Sequence, residues 1–313
     1  MKYSFVIPCY NSEATIKVVV SEIFETMQSH NELDFEIILV NDYSKDGTEN
    51  VIFNLSNENT NVTAITMSKN FGQHSALLAG YSFTSGDIVI SLDDDGQTPA
   101  NQVYDLINKL EEGYDVIFAK YPDKQHNFMR NLGSKLNDVM ANKLMNKPKN
   151  LYLSSYFVAR KYIINEMLKY NSPYPYISGL VLRTTASISN VNVKHRNREI
   201  GKSGYTFTSL IKLWLNGFTA FSIKPLRISV YIGIIAAFFG LLLLIYSLVN
   251  WLNNPMVPQG WTSMIATTAI LGGIILAVLG MIGEYIGRIY MSLNETPQYV
   301  IKKTSRDNNH EEK

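Results

Sequence analysis

The sequence predicts an α/β domain built on a mostly parallel sheet, followed by two transmembrane helices. Three observations lead there. Short apolar runs alternate with helical stretches through residues 1–225, the pattern of a parallel sheet covered on both faces. Polar and acidic residues collect just behind the apolar runs, where open α/β sheets bind ligands. Two charge-free runs, 228–249 and 262–283, are each long enough to cross a ~30 Å hydrocarbon core at roughly 1.5 Å per residue.

The first strand is "KYSFVIP". The chain enters it almost at once, so no signal peptide is expected. Behind it lies Cys9, the single cysteine, which excludes an internal disulfide or a cysteine metal site and reads as a small buried hydrophobe. A helical stretch covers 13–28. "FEIILVN" is the second strand and delivers Asn41 and Asp42 to its carboxyl end. "NVTAITM" is the third, with a helix behind it in "FGQHSALLAGYSFTS". "DIVISLD" is the fourth and runs into Asp93, Asp94 and Asp95. The helix "NQVYDLINKLEEG" leads to a fifth strand, "YDVIFAK". Two later stretches, about 126–146 and 205–220, carry apolar residues at helical spacing, among them Phe128, Leu132 and Leu136, then Phe207, Leu210 and Trp214. Each reads either as a core-facing helix or as an interfacial helix beside the membrane. The polar end, 304–313, reads as disordered.

Charge adds orientation. The 313 residues carry a net charge of +1, so nucleic acid is not an expected partner. The link between the apolar runs has no charge. Lys224 and Arg227 precede the first run, and Arg288, Lys302 and Lys303 follow the second. The positive-inside rule then places both termini and the α/β domain in the cytoplasm and the link outside. The expected organisation is a soluble domain over 1–225, a two-helix membrane region over 226–290 and a cytoplasmic tail over 291–313.

Three adjacent carboxylates at a strand end repel one another unless a cation lies among them. Asp93 and Asp95 are two apart, so continued strand geometry would turn both to one side. Their hard oxygens, with Gln97 as a further ligand, suit Mg²⁺ or Mn²⁺. Mg²⁺ commonly shares itself with substrate phosphates, which points to a nucleotide diphosphate. The competing reading is a solvated acidic turn. A second polar cluster, "KHRNREIGKSGY", holds Arg196, Arg198 and Lys202. Its "GKSG" is not a phosphate-binding P-loop, because that motif needs a glycine where Arg196 stands. The run can still bind phosphate through its arginines and lysine.

Taken together, "VIPCYNSE", "VNDYSKDGT", "NFGQHSALLAG", "LDDDGQTP", "REIGKSGYTF", "PLR" before the first span and "GEYIGRIY" after the second resemble the family 2 glycosyltransferases of the GT-A, Rossmann-like fold that load a sugar onto a polyprenyl phosphate. The resemblance covers nearly the whole chain in order. It implies that Pro8, Asn11 and Asp42 hold the nucleotide, with Lys69 and Gln73 near the same end. It implies that Asp93, Asp95 and Gln97 hold the metal on the diphosphate, and that Arg130, Arg198 and Ser203 face phosphates of donor or acceptor, with Lys202 beside them. Asp94 stands where the family has a small residue; it is assigned to substrate, and which pair of the three aspartates holds the metal stays open. Many relatives carry an aspartate, proposed as a base, where this chain has Ser154 and Ser155.

The implied reaction is inverting transfer of one sugar from a nucleotide sugar, UDP-glucose first, to undecaprenyl phosphate at the bacterial inner membrane. Relatives suggest a tetramer, and Gly272, Gly273, Gly280 and Gly283 would permit close helix packing. A phosphate monoester with a second pKa of about 6 is already largely anionic at neutral pH. Loss of either serine is therefore expected to slow transfer less than about tenfold, below the usual gain from base catalysis, and loss of Arg198 far more. The alternatives are a processive polysaccharide synthase, whose usual Arg-Trp pair this chain lacks, and a catalytically silent nucleotide-binding membrane scaffold.

Overall fold

A computed structural model describes residues 1–121, 147–148, 150–194, 224–253, 260–294 and 296–306. The chain divides into two compact units, Met1–Leu210 with Glu295–Lys313, and Ile211–Asn294.

The first unit is an eight-stranded mixed sheet. Its strands are β1 (Tyr3–Cys9), β2 (Phe35–Asn41), β3 (Val62–Met67), β4 (Ile88–Ser91), β5 (Val116–Lys120), β6 (Phe157–Arg160), β7 (Ile188–Asn192) and β8 (Ile301–Thr304), in the order β7-β5-β6-β4-β1-β2-β3-β8. The five strands read from sequence are β1 to β5. β1 runs parallel to β2 and β4, and β2 parallel to β3, while β6 is antiparallel to both β4 and β5. Every residue of β1 and β2 is buried, because a central parallel strand is covered on both faces.

The helices are α1 (Ile16–Ser29), α2 (Thr48–Glu58), α3 (Gln73–Tyr81), α4 (Val103–Glu111), α5 (Lys161–Leu168) and α6 (Ile177–Thr184). Phe5, Ile7 and Cys9 of β1 join a continuous core with Ile16, Val20 and Ile23 of α1 and Leu106 of α4. On the other face α3 lies so close that a Cβ on Gly80 would come within 2.4 Å of Val6 Cγ1. Cys9 is fully buried at the end of its strand, as its type predicts. Pro8 has no N–H to give, and it falls where β1 has outrun β4, whose pairing ends at Val6↔Ser91.

The end of the chain corrects the sequence reading. Thr304 pairs with Ile65 and Lys303 with Thr66, so residues 301–304 form an antiparallel edge strand that takes in Thr304, the first residue of the stretch read as disordered; 307–313 lie outside the described residues. Ser305 N–H donates to Ala64 O at 2.9 Å, and Arg306 reaches the buried Glu36 at 3.2 Å. Polar composition hid this strand because its stability comes from pairing with β3, not from its own apolar face. Ending the chain after Asn294 is expected to lower the melting temperature by about 5–10 °C, at roughly 2–4 °C per kcal/mol for a domain of this size. Arg306→Ala, at a side chain 45 % exposed, should cost about 1 kcal/mol or less in the same thermal scan.

The second unit contains α7 (Lys224–Asn253) and α8 (Trp261–Leu293). Among the described residues one stretch, Ile270–Leu293, is long and apolar enough to cross a membrane by length and composition; the apolar part of α7 is the shorter Ser229–Leu242. Among the described residues nothing lies within 4 Å of a Cβ placed on Gly272, Gly273, Gly280 or Gly283. The stretches 126–145 and 205–220, read as amphipathic helices, lie outside the described residues, as does Asn146.

Candidate active site

The order β3-β2-β1-β4 reverses direction at β1, so the sheet has a topological switch point between β1 and β4, the place where such sheets bind ligands. The acidic loop behind β4 meets the loop behind β1 there. Asp94 Oδ2 accepts the Tyr10 N–H at 3.0 Å and the Ser12 hydroxyl. The unexpected aspartate of the trio therefore holds the β1 loop. Burial raises its pKa above the ordinary carboxylate range.

Strand geometry does not extend to the trio. β4 stops at Ser91, the chain turns at Asp94 and Asp95, and Gly96 takes φ 71°. The alternation argument for Asp93 and Asp95 thus fails, and the turn decides where each carboxylate goes. Asp95 Oδ1 accepts the Gln97 N–H at 3.0 Å. Asp93 Oδ1 accepts from Gln73 Nε2 at 2.9 Å, and its Oδ2 accepts the Ser155 hydroxyl. Burial, with Asp95 and Asp94 close by, pushes the Asp93 carboxyl up to about 6 despite those two hydrogen bonds. Among the described residues no group of three or more His, Cys, Asp or Glu side chains is gathered as a metal cage.

The β1 and β2 loops are laced together. Asn11 N–H donates to Ser44 Oγ at 2.9 Å, and Asn11 Oδ1 accepts from Lys45 N at 3.0 Å. Asn11 and Tyr43 have φ 54° and 57°, in the left-handed region that non-glycine residues seldom occupy and that clusters at functional sites. Asp42, 3 % exposed, accepts from Phe71 N at 2.7 Å and Gly72 N at 2.8 Å. It thus shapes the turn that starts α3, where Gly72 takes φ 91°. Burial pushes Asp42 up to about 6. That turn presents Gln73 to Asp93, and Lys69 Nζ lies 4.8 Å from the Phe71 ring centre.

Of the residues singled out by sequence, Pro8, Asn11, Asp42, Lys69, Asp93, Asp94, Asp95 and Gln97 sit on the loops at these strand ends or in the strands feeding them, and Gln73 opens α3. Arg130, Arg198, Lys202 and Ser203 lie outside the described residues. Sequence reading missed the contacts of Ser12 and Ser155 with the aspartates. The signal for Ser155 was the β4–β6 register, which a single sequence does not display.

A doubly wound sheet with an acidic loop at its switch point is the architecture in which open α/β proteins place a ligand site. A model of the family described as Glycosyl transferase family 2 matches residues 4–168, and one described as the GtrB C-terminal hairpin matches 224–289. The chain is 32% identical over 305 residues to an undecaprenyl-phosphate 4-deoxy-4-formamido-L-arabinose transferase of Proteus mirabilis, covering 96% of this chain and 93% of that one. It is 30% identical over 310 residues to the like-named protein of Photorhabdus laumondii, covering 98% and 95%. The crystal structure of glucosyl-3-phosphoglycerate synthase of M. tuberculosis is similar at a TM-score of 0.51 and 20% identity, over 70% of this chain and 80% of that one, a likeness of fold. The chain belongs to glycosyl transferase family 2 and is a glycosyltransferase.

Proposed function

We propose that this enzyme transfers a single sugar, with inversion, from a nucleotide sugar to undecaprenyl phosphate at the bacterial plasma membrane. The observation that carries the proposal is the near full-length similarity to undecaprenyl-phosphate transferases, spanning the catalytic sheet and the C-terminal helices alike. The site chemistry supports it. Asn11, Asp42, Lys69 and Gln73, with Pro8 behind them, would frame the nucleotide. Asp93, Asp95 and Gln97 would hold Mg²⁺ or Mn²⁺. The fit rests on the donor set: three consecutive carboxylates, Asp93, Asp94 and Asp95, crowd the loop behind β4, and their hard oxygens with Gln97 suit a divalent cation. When bound, the cation neutralises charge on the departing diphosphate. Arg130, Arg198 and Lys202 would balance the charge of two phosphate-bearing substrates, and Ser203 would face the phosphates. The acceptor phosphate is already an anion near neutral pH, so its attack on the anomeric carbon needs no general base.

Membranes containing the enzyme, supplied with labelled UDP-glucose and in parallel a labelled 4-formamido-arabinose donor, should form one lipid-linked monosaccharide. A polymer would instead identify a processive synthase, and no product a silent scaffold. Both long helices are assigned as membrane spans, with both termini and the active site cytoplasmic. Because the native Cys9 is buried, introduced thiols report alone. Asn253→Cys should label from outside intact cells and Asn308→Cys should not; the reverse pattern would put the site on the wrong side for cytoplasmic nucleotide sugars.

A further inference from the structure

β4 and β6 pair antiparallel, with Ile90 opposite Val158 and Ser91 opposite Phe157. Asp93 and Ser155 each lie two residues beyond that last pair, where the ladder has ended, and there the Ser155 hydroxyl donates to Asp93 Oδ2. The same short segment holds the far end of the acidic loop. Tyr156, fully buried, donates its phenol to Pro99 O at 3.2 Å, and its own carbonyl accepts from Ala119 N at 3.0 Å. From the opposite side, at the start of α3, Gln73 Nε2 fixes Asp93 Oδ1 at 2.9 Å. Asp93 lies beyond the end of β4, just before a turn, so no ladder fixes its side chain. Two donors, one from β6 and one from α3, do so instead. Each carboxylate oxygen keeps a second lone pair for another partner.

We infer that Ser155 is a positioning residue, which with Gln73 clamps the Asp93 carboxylate in the orientation that receives the donor's cation. The inference rests on the proposed function. It separates two serines that sequence treats alike, since Ser154 donates to the Tyr156 carbonyl, not to an aspartate. The Ser155 hydroxyl donates its hydrogen bond to Asp93, so it acts as a donor and not as a replacement base. The sequence expectation for Ser155 is thereby revised upward, while that for Ser154 stands.

The test uses the full-length enzyme in detergent with UDP and Mn²⁺, following free Mn²⁺ by electron paramagnetic resonance alongside steady-state transfer. Ser155→Ala should weaken Mn²⁺ binding about tenfold and lower kcat about ten- to hundredfold, the equivalent of one hydrogen bond to a charged group, while KM for the lipid acceptor stays within about twofold. Ser155→Thr, which keeps the hydroxyl, should restore both to within about threefold of wild type. Ser154→Ala should remain within about tenfold in rate. Wild-type Mn²⁺ affinity and kcat in Ser155→Ala, or equal damage in Ser155→Thr, overturns the inference. Asp93→Asn, measured in parallel, tells the two readings apart. If it abolishes Mn²⁺ binding while Ser155→Ala binds Mn²⁺ as tightly as wild type, only the clamp fails; if it leaves binding intact, the metal reading fails and the clamp with it.

Discussion

Asp95→Asn is expected to lower transfer by about a thousandfold, because losing a carboxylate ligand removes several kcal/mol of leaving-group stabilisation. The substitution keeps the shape of the side chain and leaves an oxygen to accept the Gln97 N–H, which now lies 3.0 Å from Asp95 Oδ1. The turn should therefore survive, and the variant should melt within a few degrees of wild type in detergent. The loss should appear in kcat, since a cation on the diphosphate acts most strongly as charge builds on the leaving group. EDTA should abolish wild-type activity, and Mn²⁺ or Mg²⁺ should restore it. Full activity in EDTA, or an active Asp95→Asn, would remove the metal from this account.

Asp42→Ala is expected to damage both stability and donor binding. Its carboxylate accepts two backbone N–H groups, Phe71 at 2.7 Å and Gly72 at 2.8 Å, and so sets the turn from which Gln73 reaches Asp93. Leaving two such donors unpaired costs about 1–3 kcal/mol each, so a net loss of about 2 kcal/mol or more is expected in chemical denaturation. KM for the nucleotide sugar should rise about tenfold or more, the equivalent of about 1.4 kcal/mol of lost binding. Wild-type stability together with wild-type KM would refute this role. The same burial fixes the sign of a pH response. The folded pKa of about 6 lies above the ordinary 3.8. Between those values the folded protein holds a proton that the unfolded chain has released. The stability contributed by the neutral carboxyl is therefore fully present below about pH 4 and is lost as pH rises through about 6. Asp42→Asn cannot ionise and should flatten that part of the stability profile.

The parallel half of the sheet was legible because its strands are apolar runs buried on both faces and bounded by turn residues. The acidic loop was legible for the same reason, since a strand end at a switch point is where charge gathers. The strands β6, β7 and β8 were not. "FVAR", "ISNVN" and "IKKT" are short and mixed in polarity, and each is a strand by virtue of its neighbour. That same gap hid the contact between Ser155 and Asp93, which depends on pairing between segments 62 residues apart. Asp94 shows the opposite limit. Sequence could place it beside two metal-binding candidates but could not tell that Tyr10 and Ser12 occupy it. That the two oxygens of Asp42 accept the Phe71 and Gly72 N–H groups could not be read from sequence, because the bonds cross 29 and 30 residues.

The central claim is inverting transfer of one sugar to a lipid phosphate, and the anomeric configuration of the product tests it most directly. Purified enzyme, undecaprenyl phosphate, Mn²⁺ and an α-linked UDP-sugar should give a single lipid-phosphate-linked monosaccharide whose proton NMR coupling reports the β anomer. An α-linked product, a polymer, or release of UDP with no sugar on the lipid would contradict it.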